Sequence, residues 1–212
     1  SFAVYRAVSL DDILFVNSGT LLGQGYFANV GRTRRQGLEA EVNVHAPRWM
    51  AYASASGIEA TYRFANALPS PNSPFADDAG NVQVRPGDRI GGIPPGRFKL
   101  GGDVYLTPAL TVGADLLGVS AQRRVGDEAN QDRQLPSYWV AGAHASWDLG
   151  HGVDLFGRVD NLFDRKYATF GTYFETGSLD NLSPSPLPDD PSPNSDTPAP
   201  PRSFSVGLRV RW

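Results

Sequence analysis

Residues 205–212 read SVGLRVRW, a stretch in which Val206, Leu208, Val210 and Trp212 alternate with Ser205, Gly207, Arg209 and Arg211. Side chains along a strand point to opposite faces in turn, so one face here is apolar and the other carries two arginines. Two opposite arrangements fit this pattern. In a water-soluble β-protein the apolar row packs into a core, whereas in a transmembrane barrel it faces lipid and the charges line the lumen.

The same alternation recurs upstream. Stretches at about 2–16, 26–46, 49–64, 96–106, 110–121, 138–149, 153–173 and 203–212 all have strand character. Leu38, Ala40, Val42 and Val44 oppose Glu39, Glu41, Asn43 and His45, and Phe98, Leu100, Val104 and Leu106 oppose Arg97, Lys99 and Asp103. Val112, Ala114 and Leu116 oppose Thr111, Gly113 and Asp115; Trp139, Ala141, Ala143, Ala145 and Trp147 oppose Gly142, His144, Ser146 and Asp148. Val153, Leu155 and Val159 oppose Asp154, Arg158 and Asp160. Glycine and proline interrupt every window long enough for a helix, so an all-β fold is predicted.

Connection length supplies the second signal. Pro47-Arg48, Thr107-Pro108-Ala109 and Gly150-His151-Gly152 are tight turns, while 17–25, 65–95, 121–137 and 174–202 are long links, and the two kinds alternate. Short turns at one end and long loops at the other describe an up-and-down outer-membrane barrel. Trp49, Trp147 and Trp212 fall at the turn end and Trp139 at the loop end, as aromatic girdles at two lipid–water interfaces require. The loop LPSPNSPFADDAGN (68–81) and the proline-rich run from Pro184 to Pro201 read as mobile surface segments that build no core of their own.

The 212 residues are 41% hydrophobic and contain no apolar run long enough for a helical span, a test that a barrel wall, being only half apolar, escapes. A net charge of -3 argues against a nucleic-acid partner, and the short basic cluster RTRRQ (32–36) reads as a solvated strand end. There is no cysteine, which fits an envelope protein without disulfides. The opening SFAVYRAVSL lacks the parts of a signal peptide or lipidation site and starts in mid-strand, as the tail of a longer protein would.

Four segments resemble one family, the TonB-dependent outer-membrane receptors. VDNLFDRKY (159–167) is similar to its Asn-Leu-Phe-Asp-x-x-Tyr signature, RRQGLEAEV (34–42) to its Gly-hydrophobic-Glu strand, and RPGDRIGGIPPGRFKLG (85–101) and GDEAN (126–130) to two further passages. The terminal stretch resembles the barrel-assembly signal, with Ser205, Gly207, Val210 and Trp212 in its slots and tryptophan where phenylalanine is usual. The resemblance implies an antiparallel transmembrane β-barrel segment of about eight strands. Residues 1–212 would be the carboxy-terminal part of a 22-stranded barrel whose plug and earlier strands lie outside this chain. It further implies active uptake of a ferric siderophore or similar metal chelate across the bacterial outer membrane. Its implied partners are the lipid, the TonB-ExbB-ExbD system acting through the plug, and the barrel-assembly machinery. No enzymatic activity, cofactor or resident metal is implied.

The candidate chemistry is sparse. Alternation breaks between Asp160 and Asp164, which reads as a β-bulge rather than a catalytic pair. His144 and Ser146 share the polar face but have no third partner by spacing, so they read as lining. His45, His144 and His151 without cysteine form no metal-ligand pattern. The luminal charges Glu39, Glu41, Arg97, Lys99, Asp103, Asp115, Asp154, Arg158 and Asp160 are expected to pair across strands or with the plug. For ligand contacts the expected residues are Arg32, Arg34, Tyr62, Arg63, Arg123, Arg124, Tyr173 and Phe174, arginines to hold an anionic chelate and aromatics to stack on it. Two rival functions are an independent eight-stranded anchor or adhesin, which needs the first strand to close on the last, and a soluble ligand-binding barrel, which needs the apolar row inside.

Overall fold

A computed structural model describes residues 1–17, 25–173 and 193–211. Twelve strands run along them: β1 (Phe2–Asn17), β2 (Gly25–Ala46), β3 (Trp49–Tyr62), β4 (Asn66–Pro69), β5 (Asn81–Val84), β6 (Gly96–Tyr105), β7 (Leu110–Val119), β8 (Tyr138–Gly150), β9 (Val153–Asp160), β10 (Ala168–Tyr173), β11 (Asn194–Pro198) and β12 (Ser203–Val210). Eight form one antiparallel sheet in the order β1-β2-β3-β6-β7-β8-β9-β12, and β4-β5 and β10-β11 are separate ribbons. Among the described residues β1 and β12 do not pair with each other, so the sheet is open along both edges. No helix is present among them.

Register carries the alternation across strands. Leu38 faces Gly57, Ala53 faces Leu100, Leu100 faces Leu116, Leu116 faces Ala141, and Leu155 faces Leu208, so the apolar residues of all these strands share one face. Among the described residues no second layer covers it: Phe2 and Val206 on the edge strands are 71% and 78% exposed, and Leu38 and Leu100 within the sheet 49% and 44%. An apolar surface of this extent is not sustained in water and is the mark of a wall solvated by lipid. The core of the described chain lies elsewhere, at the loop end.

That core corrects one expectation. Leu68, Val82 and Val84, which flank the proline-rich tip of the 68–81 loop, are buried, and Leu68 and Val84 cluster with Val30, Ala60, Tyr62 and Ile90. Ala60 and Tyr62 share strand parity with Ser56 and Tyr52, so this cluster sits on the polar face, where the loop folds inward over the end of the sheet. Composition overstated the tip. The turn itself is closed by Asp77, whose Oδ1 accepts from Ala79 N at 3.0 Å and Asn81 N at 2.9 Å, leaving the flanking residues free to pair as β4 and β5.

The predicted strand 153–173 is also corrected: β9 ends at Asp160 and β10 belongs to a different ribbon. The break is a turn rather than a bulge. Asn161 and Asp164 adopt left-handed backbone, at φ 49° and 51°, a region that asparagine and aspartate tolerate better than other non-glycine residues. The buried Asn161 side chain donates to Arg165 O at 2.9 Å and Pro200 O at 3.2 Å and accepts from Arg165 N at 2.8 Å. Asn161→Ala removes all three bonds and is expected to lower unfolding stability by about 2 kcal/mol, measured by urea denaturation. A change below about 0.5 kcal/mol would show that these bonds are replaced by water at no cost. Register shifts within the sheet lie instead in β1–β2, between Ser9 and Ile13, and in β8–β9, between Asp148 and Gly150.

Candidate functional site

On the polar face the charges pair partly across strands. His144 Nε2 and Asp103 Oδ1 lie 2.7 Å apart, spanning β7 over Gly113. A Cβ on Gly113 would collide with both partners, so glycine is what lets the pair form. Arg158 contacts Asp160 at 2.6 Å and Asp115 at 3.5 Å, and Arg211 contacts Asp154 at 2.9 Å. Glu39, Arg97 and Lys99 have no ion pair among the described residues; they line an open hollow of about 290 Å³ with Glu41, Ser54 and Ser56. Among the described residues no hydroxyl is hydrogen-bonded to the His144–Asp103 pair, which lies on the polar face of the wall.

At the loop end, segments 120–137, 63–95 and the β10-β11 ribbon are fastened together. Arg124 is the centre of this assembly. Its Nε and Nη2 grip both oxygens of Asp196 at 2.8 Å each, and Nη1 donates to Arg133 O at 2.8 Å. The fork with Asp196 holds the guanidinium still more firmly protonated than usual. Tyr173 donates to Asp132 Oδ2 at 3.0 Å, and Val125 N donates to Gly171 O at 3.0 Å.

The GDEAN segment explains itself at this point. Buried Asp127 accepts from Gln131 N at 2.7 Å, Asp132 N at 3.2 Å and Arg123 Nη1 at 3.1 Å, closing the loop on itself. Asn130, at φ 56°, donates to Arg89 O at 2.9 Å while its Oδ1 accepts from Arg89 N at 2.9 Å, tying this loop to the one before β6. Ser70 Oγ adds a bond to Gly126 O at 2.8 Å.

Glu128 is the exposed weakness of that arrangement in chemical terms. Its Oε1 accepts from Gly126 N at 2.9 Å, but Oε2 is sealed from solvent with no hydrogen-bond partner among the described residues. The carboxyl borders a hollow of about 180 Å³ lined by Leu14, Val30, Tyr62, Leu68 and Val125, and burial pushes its pKa up to about 7. A carboxyl raised in the folded state binds more protons folded than unfolded, so stability falls as pH rises from the unfolded value near 4.5 to about 7 and is flat above. Limited proteolysis of the loops is therefore expected to be slower at pH 5 than at pH 8, and Glu128→Gln should remove that difference. Equal rates in the unaltered protein would contradict it.

The expected ligand residues do not converge. Arg123, Arg124 and Tyr173 lie within the fastened loops, and Tyr62 is buried with its ring edge-on to Phe64 at 5.6 Å. Arg34 pairs with Glu59 at 2.8 Å. Arg32 and Arg63 are exposed and adjacent, Arg63 N donating to Arg32 O at 2.8 Å. By parity Arg32, Arg34 and Arg63 stand on the apolar row's side of the sheet, with Leu38 and Gly57, not on the polar side. Phe174 lies outside the described residues.

Of the terminal stretch, Ser205, Gly207 and Val210 pair with Arg158, Phe156 and Val153, while Trp212 lies outside the described residues. Gly207 leaves room for the Phe156 ring, which crosses the strand where a Cβ would stand. Trp49 and Trp147 are exposed at the turn end, and Trp139 stacks edge-on with Phe163 at 5.7 Å at the loop end beneath Arg165, 5.1 Å from its ring.

A family model described as TonB dependent receptor-like, beta-barrel matches residues 1–162. The chain is 27% identical over 146 residues to the probable TonB-dependent siderophore receptor PiuA of Acinetobacter baumannii, covering 68% of this chain and 18% of that protein. It thus spans less than a fifth of the curated relative's length. The crystal structure of the siderophore receptor PiuA from the same species superposes with a TM-score of 0.68 at 18% identity, over 99% of this chain and 25% of that one. The closed form of the ferric-catecholate import receptor Fiu from E. coli K12 gives 0.61 at 18% identity over 99% and 24%, and the copper transporter OprC 0.65 at 18% over 99% and 28%. At these identities the structural likenesses speak for the fold alone.

Proposed function

The chain belongs to the TonB-dependent receptor-like β-barrel family, and from that premise we propose that it forms part of the wall of an outer-membrane active transporter for a ferric siderophore or similar metal chelate. Residues 1–212 are its carboxy-terminal portion in this reading, with a plug and earlier strands completing the protein. The observation that carries it is the open antiparallel sheet whose apolar row is uncovered and whose opposite face is charged. The unpaired edges of β1 and β12 speak against the rival eight-stranded anchor, because an independent barrel closes those edges on each other.

Within this reading the cell outer membrane is the location, and Glu39, Arg97 and Lys99 are the wall's contacts for the plug through which TonB-ExbB-ExbD delivers energy. The terminal strand serves the barrel-assembly machinery. Ligand capture falls to the roof of fastened loops on the polar side, with Arg123, Arg124 and Tyr173 holding its shape. Tryptophan fluorescence of the full-length protein titrated with a panel of ferric chelates tests the substrate class. Saturable quenching by at least one ferric chelate and none by its iron-free form is expected; saturation only by cobalamin or an oligosaccharide would contradict it.

A further inference from the structure

We propose that the outward face of β1–β3 carries a docking site for the phosphate groups of an outer-leaflet lipid, built from Arg6, Arg32, Arg34, Arg63 and Arg89. The proposal rests on the membrane reading above and assigns the headgroup chemistry of one stretch of wall.

The strand register assembles the five arginines. Arg6 faces Gln36, Val8 faces Arg34, Arg34 faces Thr61, and Thr61 bridges to Arg89, so Arg34 and Arg89 stand in one cross-strand row. At about 4.8 Å between strands, their side chains leave the sheet roughly 10 Å apart. Arg32 and Arg63 stand one step further along, joined through the bond from Arg63 N to Arg32 O. Every one of these side chains shares parity with Val4 and Leu38, the lipid-facing row.

Height selects the partner. With a rise of about 3.3 Å per residue and a tilt of about 40°, β3 climbs roughly 25 Å along the membrane normal from Trp49 to Glu59, the full apolar band of an outer-membrane wall. Thr61 and Arg63, with Arg34 and Arg32 beside them, then lie roughly 5–10 Å higher, at headgroup level. Glu59, the carboxylate of these rows, is lower and already holds Arg34 at 2.8 Å and Gln36 at 2.7 Å. Among the described residues Arg6, Arg32, Arg63 and Arg89 form no ion pair, Arg89 alone feeling the Glu59 charge through space, and all four stand directly above Val4, Leu38 and Ala55. A soluble anion gains nothing from that apolar stripe, whereas a phosphorylated lipid uses both halves: acyl chains along the stripe and phosphates in the guanidinium forks. Long basic side chains at a bilayer edge take this posture.

Native mass spectrometry of the full-length protein in detergent, titrated with bisphosphorylated lipid A and with its dephosphorylated form, reads the preference. At about fivefold per arginine near an anionic surface, the unaltered protein should retain the phosphorylated lipid at least tenfold better, and the R32Q/R63Q double variant should lose most of that. R97Q, on the luminal face, should keep it; circular dichroism confirms that each variant is folded. Equal retention of both lipids, an equal loss in R97Q, or full displacement by millimolar inorganic phosphate would overturn the proposal. A protein that associates with neither lipid and stays in solution without detergent would instead overturn the membrane reading on which it rests.

Discussion

Ala143→Arg is expected to cost about 2–4 kcal/mol of folding stability in a bilayer, the penalty for a charge at mid-depth on the lipid face of a barrel. Ala143 pairs with Ala114 and Val159 on the apolar row, midway along β8 between Trp139 and Trp147. An arginine there has the longest path to either headgroup layer and no carboxylate among its cross-strand neighbours, Ala114 and Val159. Ser146→Arg is the matched control, because Ser146 lies on the opposite face of the same strand, opposite Thr111 and Phe156, where water is available. Its effect should stay within about 0.5 kcal/mol. Urea unfolding in vesicles measures both, and a Ser146→Arg penalty as large as that of Ala143→Arg would refute the assignment of faces.

Arg124→Ala should release the loops without dissolving the sheet. Arg124 is 6% exposed, and loss of its guanidinium leaves Asp196 and Asp132 without the cation they share. Breaking a buried pair by removing one partner costs about 3–5 kcal/mol, and the partial exposure of Asp196 brings the expectation to about 2–4 kcal/mol. The energy appears locally, as faster proteolysis within 120–137 and around β10-β11, because the eight-stranded sheet makes no use of Arg124. Arg124→Lys keeps the charge but not the two-pronged grip on Asp196, and should fall between the two. Unchanged loop proteolysis in Arg124→Ala would mean that the β10-β11 ribbon is held by its backbone contacts alone.

Strand alternation made most of the sheet legible. The apolar parity of Leu38, Leu100, Leu116 and Leu208 is a local property, and the register then follows from short turns such as Pro47-Arg48. The faces of Arg32 and Arg34 were readable too: both keep the parity of Leu38 through an uninterrupted strand, which sets them on the apolar row's side of the sheet. What the sequence could not convey is long-range closure. Arg124 meets Asp196 from 72 residues away, and no periodicity announces that. Asn161 shows the same limit at short range, since a bulge and a turn both interrupt alternation and only the hydrogen bonds to Arg165 and Pro200 separate them. Leu68, Val82 and Val84 were masked by the prolines and aspartates between them, whose composition dominates any window that spans the loop.

Residues 1–212 contain no cysteine, so with any cysteine elsewhere in the full-length protein replaced by serine the polarity of the wall is directly measurable. Single cysteines at Val112, Ala143 and Val210, and at Lys99, Ser146 and Arg209, each carry a fluorophore in the full-length protein reconstituted in vesicles containing brominated lipid. Strong quenching at the first three and weak quenching at the second three is the predicted result. Quenching that ignores this division, or that favours Lys99, Ser146 and Arg209, would contradict a wall whose apolar side faces lipid.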